Sequence, residues 1–482
     1  MKKVSEILDT NLDIMVDNLT DDSRSVKENG VFFAIKGITV DGNDYVESAI
    51  KNGASVIVTS KDLDVNVPVI KVDDVQTTYN NALNKFYDNV TEKIKFISVT
   101  GTDGKTTVSE ILYQLLNNYE KTGYIGTNGI KYNKFTMDNE HTTPMPDVLF
   151  KAFNEFSKLG CKYVTMESSS ERLATRKLEG INFDVAIFTN LTRDHLDYHK
   201  TMENYALAKA ISFNNLKKDG LGIVNYDDPY KDYFISGSNA KVITYSLSDE
   251  NADVYASNVL VRYNRLEFDI NGLYGHHHII SHISGKFNVY NLMCAFICMR
   301  HFGYDVKSII RNIALIKPIE SRQLLLKTDF GFSVMIDYGH TANAIKNLYE
   351  YIKPMVQNRV ITVYGAAGSR DQRRMIEVAN FCTENADKCF FTIEDSRYDD
   401  PNELIKLMVS EVKTNNYEIE IDRDKAIKKA LMSAESGDMV LILGKGMEKY
   451  QVTNGKLVAR PNDLESAKRV LKSMSKQKSS AA

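Results

Sequence analysis

The chain has no basic excess. Its 60 lysines and arginines stand against 63 aspartates and glutamates, a formal net charge of -3 over 482 residues. Nothing in that balance would neutralise a run of phosphates, so nucleic acid is not expected as a partner. No stretch approaches the ~18 apolar residues of a membrane span, and none is expected. The opening MKKVSEILDTNLD turns acidic early and has no apolar core, which does not fit a signal peptide. The five cysteines (Cys161, Cys294, Cys298, Cys382 and Cys389) form no Cys-x-x-Cys pair and read as reduced thiols of a cytoplasmic protein. Cys294 and Cys298 are one helical turn apart, yet without a second pair nearby the expected role is packing. No internal repeat or low-complexity segment is visible, and the polar tail SKQKSSAA is expected to fray.

What is present is a globular composition, 43% hydrophobic and 26% charged. The length implies two to four domains. Three blocks of alternating strands and amphipathic helices place the chain in the α/β class, with expected domain limits at 1–92, 93–320 and 321–482. In the first, strands are expected at 30–35, 54–59 and 68–72, a helix at 44–52, and another ending at Phe86. In the second, a strand at 95–99 precedes a helical stripe of Val108, Ile111, Leu112, Leu115 and Leu116. Further strands are expected at 163–166, 185–189 and 222–225, and the polar, alternating 253–283 reads as inserted antiparallel hairpins. After a linker at Lys317-Pro318, the third block reads as strands at 334–337, 360–364, 389–392, 419–421 and 439–443, a Rossmann-like, mostly parallel sheet.

The strongest chemical signal is Thr100-Gly101-Thr102-Asp103-Gly104-Lys105-Thr106-Thr107, between a buried strand and a helix. Its glycines let the backbone approach a phosphate, and the helix start offers free N–H groups and a positive dipole end. Lys105 can reach the β- and γ-phosphates of ATP, and the Thr106 hydroxyl can ligate Mg²⁺. The general G-x-x-x-x-G-K pattern would require glycine at position 99, where Val99 stands. Glu167 ends one expected strand and His195 follows another, so both can reach the same sheet edge. A carboxylate, an imidazole and a threonine hydroxyl suit a metal bridging phosphate oxygens, although histidine is an unusual ligand for Mg²⁺.

The shorter loop GT-x-GKTT resembles that of the Mur ligase family, and the rest of the chain resembles its MurE branch, which adds the third residue of the peptidoglycan stem peptide. Asp22-Ser23-Arg24-Ser25-Val26 with Gly30-Val31-Phe32-Phe33-Ala34 looks like that branch's uridine-binding signature. Gly126-Thr127-Asn128-Gly129 and Thr142-Thr143-Pro144 look like its substrate segments, and FTNLTRDHLDYH at 188–199 with Tyr205-Ala206-Leu207-Ala208-Lys209 is close to its most recognisable string. The resemblance implies a uridine-binding domain, a central P-loop ATPase-like domain and a Rossmann-like domain. It implies that the UDP-linked substrate meets Ser23, Arg24, Thr127, Asn128, Thr142, Thr143, Ser169 and Arg176. ATP would meet residues 101–107, including Thr107, together with Asn288, Asn291, Arg322, Asp337, His340 and Arg374. Mg²⁺ would be held by Thr106, Glu167, His195 and a CO₂-derived carbamate on Lys209, a modification favoured when burial keeps the lysine amine neutral.

Asp337-Tyr338-Gly339-His340-Thr341 resembles the family's DYAHTP, and Gly368-Ser369-Arg370-Asp371 its GxRD turn. The amino-acid motif DNPR aligns with Glu394-Asp395-Ser396-Arg397, and Gly444-Lys445-Gly446-Met447-Glu448 with GKGxE. Glu394, Asp395, Arg397, Gly444 and Glu448 are then expected around the incoming amino acid, a diamino acid such as meso-diaminopimelate or lysine. The implied reaction joins it to the D-glutamate of UDP-N-acetylmuramoyl-L-alanyl-D-glutamate through an acyl phosphate, in a cytoplasmic monomer. Two alternatives remain: a Mur-like ligase acting on another carboxylate, of folylpolyglutamate or cyanophycin type, and an ATP-dependent switch that forms no bond.

Overall fold

Each block builds its own main sheet. The computed structural model describes residues 1–37, 40–137, 141–320 and 322–481; Ser321, at the expected third-domain boundary, and Ala482, in the expected frayed tail, lie outside them.

The first sheet pairs Asn18–Thr20, Gly30–Phe33, Ala54–Thr59 and Val69–Lys71 in order, all parallel. Alternation along the strands divides their side chains between two faces. Val31, Phe33, Val56 and Val58 pack with the helix Val75–Phe86 and also with Phe96, Phe150, Phe153 and Phe156 of the second block. The first two blocks therefore share one core. Phe32, Ala34 and Ile57 turn instead to Val46 and Ala49. The segment expected as a helix from 44 begins as a 3-10 turn, Gly42–Tyr45, and becomes α-helical only at Val46–Lys51. The Asp41 carboxylate accepts the Asn43 N–H and holds that tighter start.

Among the described residues the central sheet has eleven strands. Thr122–Gly126, Tyr163–Glu167, Lys95–Thr100, Phe183–Phe188, Leu216–Asn225 and Lys241–Ser246 run parallel in that spatial order. Val254–Arg262, Arg265–Gly272 and His277–Ser281 form the expected antiparallel extension. A second extension, Gly129–Tyr132 and Phe135–Met137, covers the other end and was not legible beforehand. The third sheet orders Leu324–Lys327, Ser333–Asp337, Met439–Leu443, Val360–Ala367, Lys388–Asp395 and Tyr417–Ile419. The last strand lies two residues before its expected place. Asp422 caps the helix Arg423–Met432, so residues 420–421 lead into a helix rather than extend a strand. The helix Asp463–Ala481 runs into the C-terminal tail.

Thr100, Glu167 and Phe188 end parallel strands of the central sheet, and Asp337, Leu443 and Asp395 end parallel strands of the third. Carboxyl edges of parallel sheets are where ligands collect. Here the two edges meet.

Candidate active site

The phosphate loop leaves the strand Lys95–Thr100 and enters the helix Lys105–Leu116. Gly101 (φ 144°) is obligatory, because a Cβ there would collide with Thr189 Oγ1. Gly104 (φ 87°) leaves a Cβ only 3.0 Å from Asn291 Oδ1. Lys105 Nζ lies folded on its own loop, donating to the carbonyls of Gly101 and Thr102 at 2.9 and 2.8 Å. Thr102 Oγ1 donates to the Thr192 carbonyl, and buried Thr107 backs the helix start.

Glu167 is fully buried. Its carboxylate accepts from Thr106 Oγ1 (2.9 Å), Tyr124 OH (2.9 Å) and Thr127 N (2.8 Å). His195 sits at φ 53° just before the helix Leu196–His199, and burial pushes its pKa down to about 3. Lys209 is also buried, donating to the Gly101 carbonyl at 2.7 Å and lying 4.6 Å from the Tyr205 ring. Burial first, and Lys105 second, hold its amine well below the ordinary lysine range. These three groups suit the expected Mg²⁺ set. Among the described residues no three His, Cys, Asp or Glu gather as a metal cage, and the expected set draws only Glu167 and His195 from those types. Cys294 and Cys298 are buried within the helix Asn288–His301, with Cys294 Sγ donating to the Asn291 carbonyl.

The third block reaches into this loop. Arg322 donates to Thr106 Oγ1 at 2.8 Å, and its guanidinium lies 4.8 Å from the Tyr338 ring. Asp337 accepts the N–H groups of Gln323 and Gly339; burial raises its pKa while Arg322 opposes the rise. Thr341 Oγ1 and Asn343 Nδ2 donate to the Asp103 carboxylate. His340 Nε2 and Arg374 NH1 lie 3.6 and 2.7 Å from Asp194. Asn288 and Asn291 are hydrogen-bonded to one another near Gly104.

Of the residues expected at the UDP-linked substrate, Thr127, Thr142, Thr143 and Ser169 gather around Glu167. Thr143 Oγ1 donates to the Glu167 carbonyl and accepts from Ser169 N, while Thr127 and Thr142 hydroxyls lie 3.2 Å apart. Asn128 donates to Glu110 and to the Glu320 carbonyl. Ser23 is buried in the first block, and exposed Arg24 pairs with Asp22. Arg176 is committed to Asp74 and Glu179, where the first block meets the second.

The amino-acid candidates lie at and just beyond the carboxyl edge of the third sheet. Glu448 is already engaged by Tyr338 OH (2.8 Å) and buried Lys445 (2.7 Å), and Lys445 also pairs with Asp395 (2.9 Å). Glu394 Oε2 and Arg397 Nε are buried without hydrogen-bond partners. Gly444, at φ 104°, leaves space that Glu394 occupies, since a Cβ would lie 2.9 Å from Oε2. Arg397 adopts φ 53° and is held by the hairpin Tyr450–Thr453/Lys456–Ala459, its N–H donating to the Val452 carbonyl.

Sequence reasoning missed Asp194, Arg193, Asp371, Tyr124 and Lys445 as members of the site. Arg193 and Asp194 lie inside the quoted string, but their partners are 178 and 180 residues away, beyond any local pattern.

Comparisons with known proteins converge. The description Mur ligase family, catalytic domain matches residues 16–98; Mur ligase middle domain matches 99–299; and Mur ligase, glutamate ligase domain matches 322–446. The chain is 36% identical to the UDP-N-acetylmuramoyl-L-alanyl-D-glutamate–2,6-diaminopimelate ligase of Lactiplantibacillus plantarum, covering 98% of this chain and 96% of the relative. It is 33% identical to the corresponding L-lysine ligase of Staphylococcus epidermidis, over 94% and 92%. A solved 2,6-diaminopimelate ligase structure superposes with TM-score 0.66 at 27% identity, over 97% of both chains. A folylpolyglutamate synthase of Mycobacterium tuberculosis shares the fold at 15% identity and TM-score 0.65, but over only 76% of this chain.

Proposed function

The chain belongs to the Mur ligase family, and from that premise we propose that it joins a diamino acid to the D-glutamate of UDP-N-acetylmuramoyl-L-alanyl-D-glutamate with cleavage of ATP to ADP and phosphate. The observation that carries this reading is the convergence on Thr106, where Glu167 of the central sheet and Arg322 of the third block meet one hydroxyl at the start of the phosphate-loop helix.

A carboxylate resists attack by an amine because oxide is a poor leaving group. Phosphorylation by ATP makes it an acyl phosphate, and the amine then displaces phosphate. The loop N–H groups and Lys105, once lifted from the Gly101 and Thr102 carbonyls, cradle the phosphates. Thr106, Glu167, His195 and a carbamate on Lys209 would hold Mg²⁺, which would supply positive charge beside the transferring phosphoryl group. Lys209 is buried and its amine is held well below the ordinary lysine range, which suits it to react with CO₂. Thr127, Thr142, Thr143 and Ser169 position the UDP-linked carboxylate near Glu167, while Ser23, Arg24 and Asn128 hold the rest of that substrate. Asn288, Asn291, Asp337, His340 and Arg374 complete the nucleotide site. Closure of the third block excludes water, which would otherwise hydrolyse the acyl phosphate.

The incoming zwitterion takes Glu394 and Arg397, two groups with unpaired buried atoms. An Arg fork donates two parallel hydrogen bonds to a carboxylate, and Glu394 accepts from an ammonium. The domain limits follow as 1–92, 93–320 and 321–482, and the enzyme acts as a cytoplasmic monomer. Among the described residues no helix is long and apolar enough to cross a membrane. The deciding assay measures ADP release with the UDP-muramoyl dipeptide against lysine, meso-diaminopimelate, ornithine and neutral amino acids. ADP formation that ignores the added amino acid would instead favour a nucleotide switch, and activity on a folate a different ligase.

A further inference from the structure

Three consecutive residues of the central block each meet a different residue of one short segment in the third block. Arg193 grips Asp371 with two hydrogen bonds, at 2.8 and 3.2 Å. Asp194 accepts from Arg374 NH1 at 2.7 Å. His195 Nδ1 lies 3.3 Å from Arg370 NH1. The charges alternate in opposite order on the two sides, acid against base at each ionic step. Asp371 caps the helix Gln372–Asn385, and Arg374 lies one turn along it, so a single rigid helix start presents both partners.

The two ion pairs differ in setting. Arg193 is 45% exposed, whereas Asp194 and Arg374 are only 4% and 6% exposed. The buried pair is unfavourable to leave half-made, so separation of the blocks must expose both charges to water together. Asp194 also accepts the His195 backbone N–H at 2.9 Å and lies 3.3 Å from that residue's Nε2, while His340 approaches from another loop. One carboxylate thereby fixes the backbone of His195 and touches two elements of the third block.

We propose that residues 193–195 and 370–374 form an interdomain latch that holds the third block closed over the phosphate loop, with Asp194 as a positioning residue that couples closure to the placement of His195. The latch converts block closure into a defined position for the imidazole beside Lys105 and Lys209. An open form would leave His195 without Arg370 and with a loosened Asp194.

The catalytic half of this inference rests on the ligase reading; the closure half does not. A double-mutant cycle of R193Q and D371N tests closure, because asparagine preserves the helix cap while removing the charge. Affinity for a non-hydrolysable ATP analogue and the radius of gyration of the analogue-bound protein are the readouts. Each single variant is expected to bind about 5-fold more weakly and to be less compact, and the double variant to be no worse than the poorer single. Multiplying effects, or unchanged compactness in both singles, would overturn the latch. For positioning, D194N is expected to lower kcat about 100-fold or more, with a smaller rise in the KM for ATP, in protein whose melting confirms it is folded. A D194N enzyme altered only in melting temperature would overturn that role. If the parent releases no ADP with any amino acid, the ligase reading fails while the analogue and scattering measurements still decide the latch.

Discussion

The Thr106 hydroxyl donates to Glu167 Oε2 at 2.9 Å, joining the first turn of the phosphate-loop helix to the end of a neighbouring parallel strand. Glu167→Gln keeps an acceptor for Tyr124 and Thr127 N but removes the negative charge. ADP formation should fall about 100-fold or more, while the melting temperature changes little. Activity within a factor of two of the parent would remove Glu167 from the metal site.

Lys209 is buried beside Lys105, with an amine held well below its ordinary range. Lys209→Ala should lose at least about 100-fold in activity, and millimolar acetate or another short carboxylate should return part of it. Mass spectrometry of the parent under bicarbonate should show a labile mass increment. Full activity of the alanine variant without additive would end the carbamate assignment.

In the third block, Arg397 Nε and Glu394 Oε2 are buried without partners. Losing a charged hydrogen bond to the amino acid should raise its KM about 10- to 100-fold in Arg397→Ala, with the KM for ATP shifted far less. Equal effects on both substrates would place Arg397 outside the amino-acid site.

His199 is buried against Ser170 Oγ, and burial lowers its pKa from 6.5 to about 4. Above pH 6.5 neither the folded nor the unfolded chain protonates it. As pH falls from 6.5 to about 4, the unfolded chain takes up a proton that the folded chain refuses. Stability must therefore drop across that window, by up to about 3 kcal/mol, and then level off. Urea melts at stepped pH should give a shallower acid slope for His199→Asn than for the parent; identical slopes would contradict the assignment.

In the third block, Arg423 and Asp463 form a bidentate pair with side chains 1% and 0% exposed. Asp463→Ala leaves the guanidinium buried and unpaired, and should destabilise the protein by about 3–5 kcal/mol in denaturant titration. A loss under 1 kcal/mol would mean that water reaches Arg423 in the variant.

Local pattern carried much of the fold. The apolar stripe from Val108 to Leu116 lies on the helix Lys105–Leu116, and the polar alternation after residue 253 forms antiparallel strands, since both depend on short-range periodicity. The edge strand at 417–419 was displaced because a cap at Asp422 competed for the same residues. The hairpin Gly129–Met137 escaped notice because its strands are short and only partly buried.

The loop at 101–107, Glu167, His195 and Lys209 each stand in a short local string, so the sequence determined the chemistry available to this protein. Which groups remain free to use that chemistry was decided by the tertiary structure. Glu448 was expected around the incoming amino acid; Lys445 and Tyr338 already occupy its two oxygens, and Glu394 keeps an unpaired oxygen. Asp194 faces Arg374 only because two sheets turn their carboxyl edges toward each other across 180 residues of chain. Pairings of that kind depend on three-dimensional packing, which local periodicity does not encode.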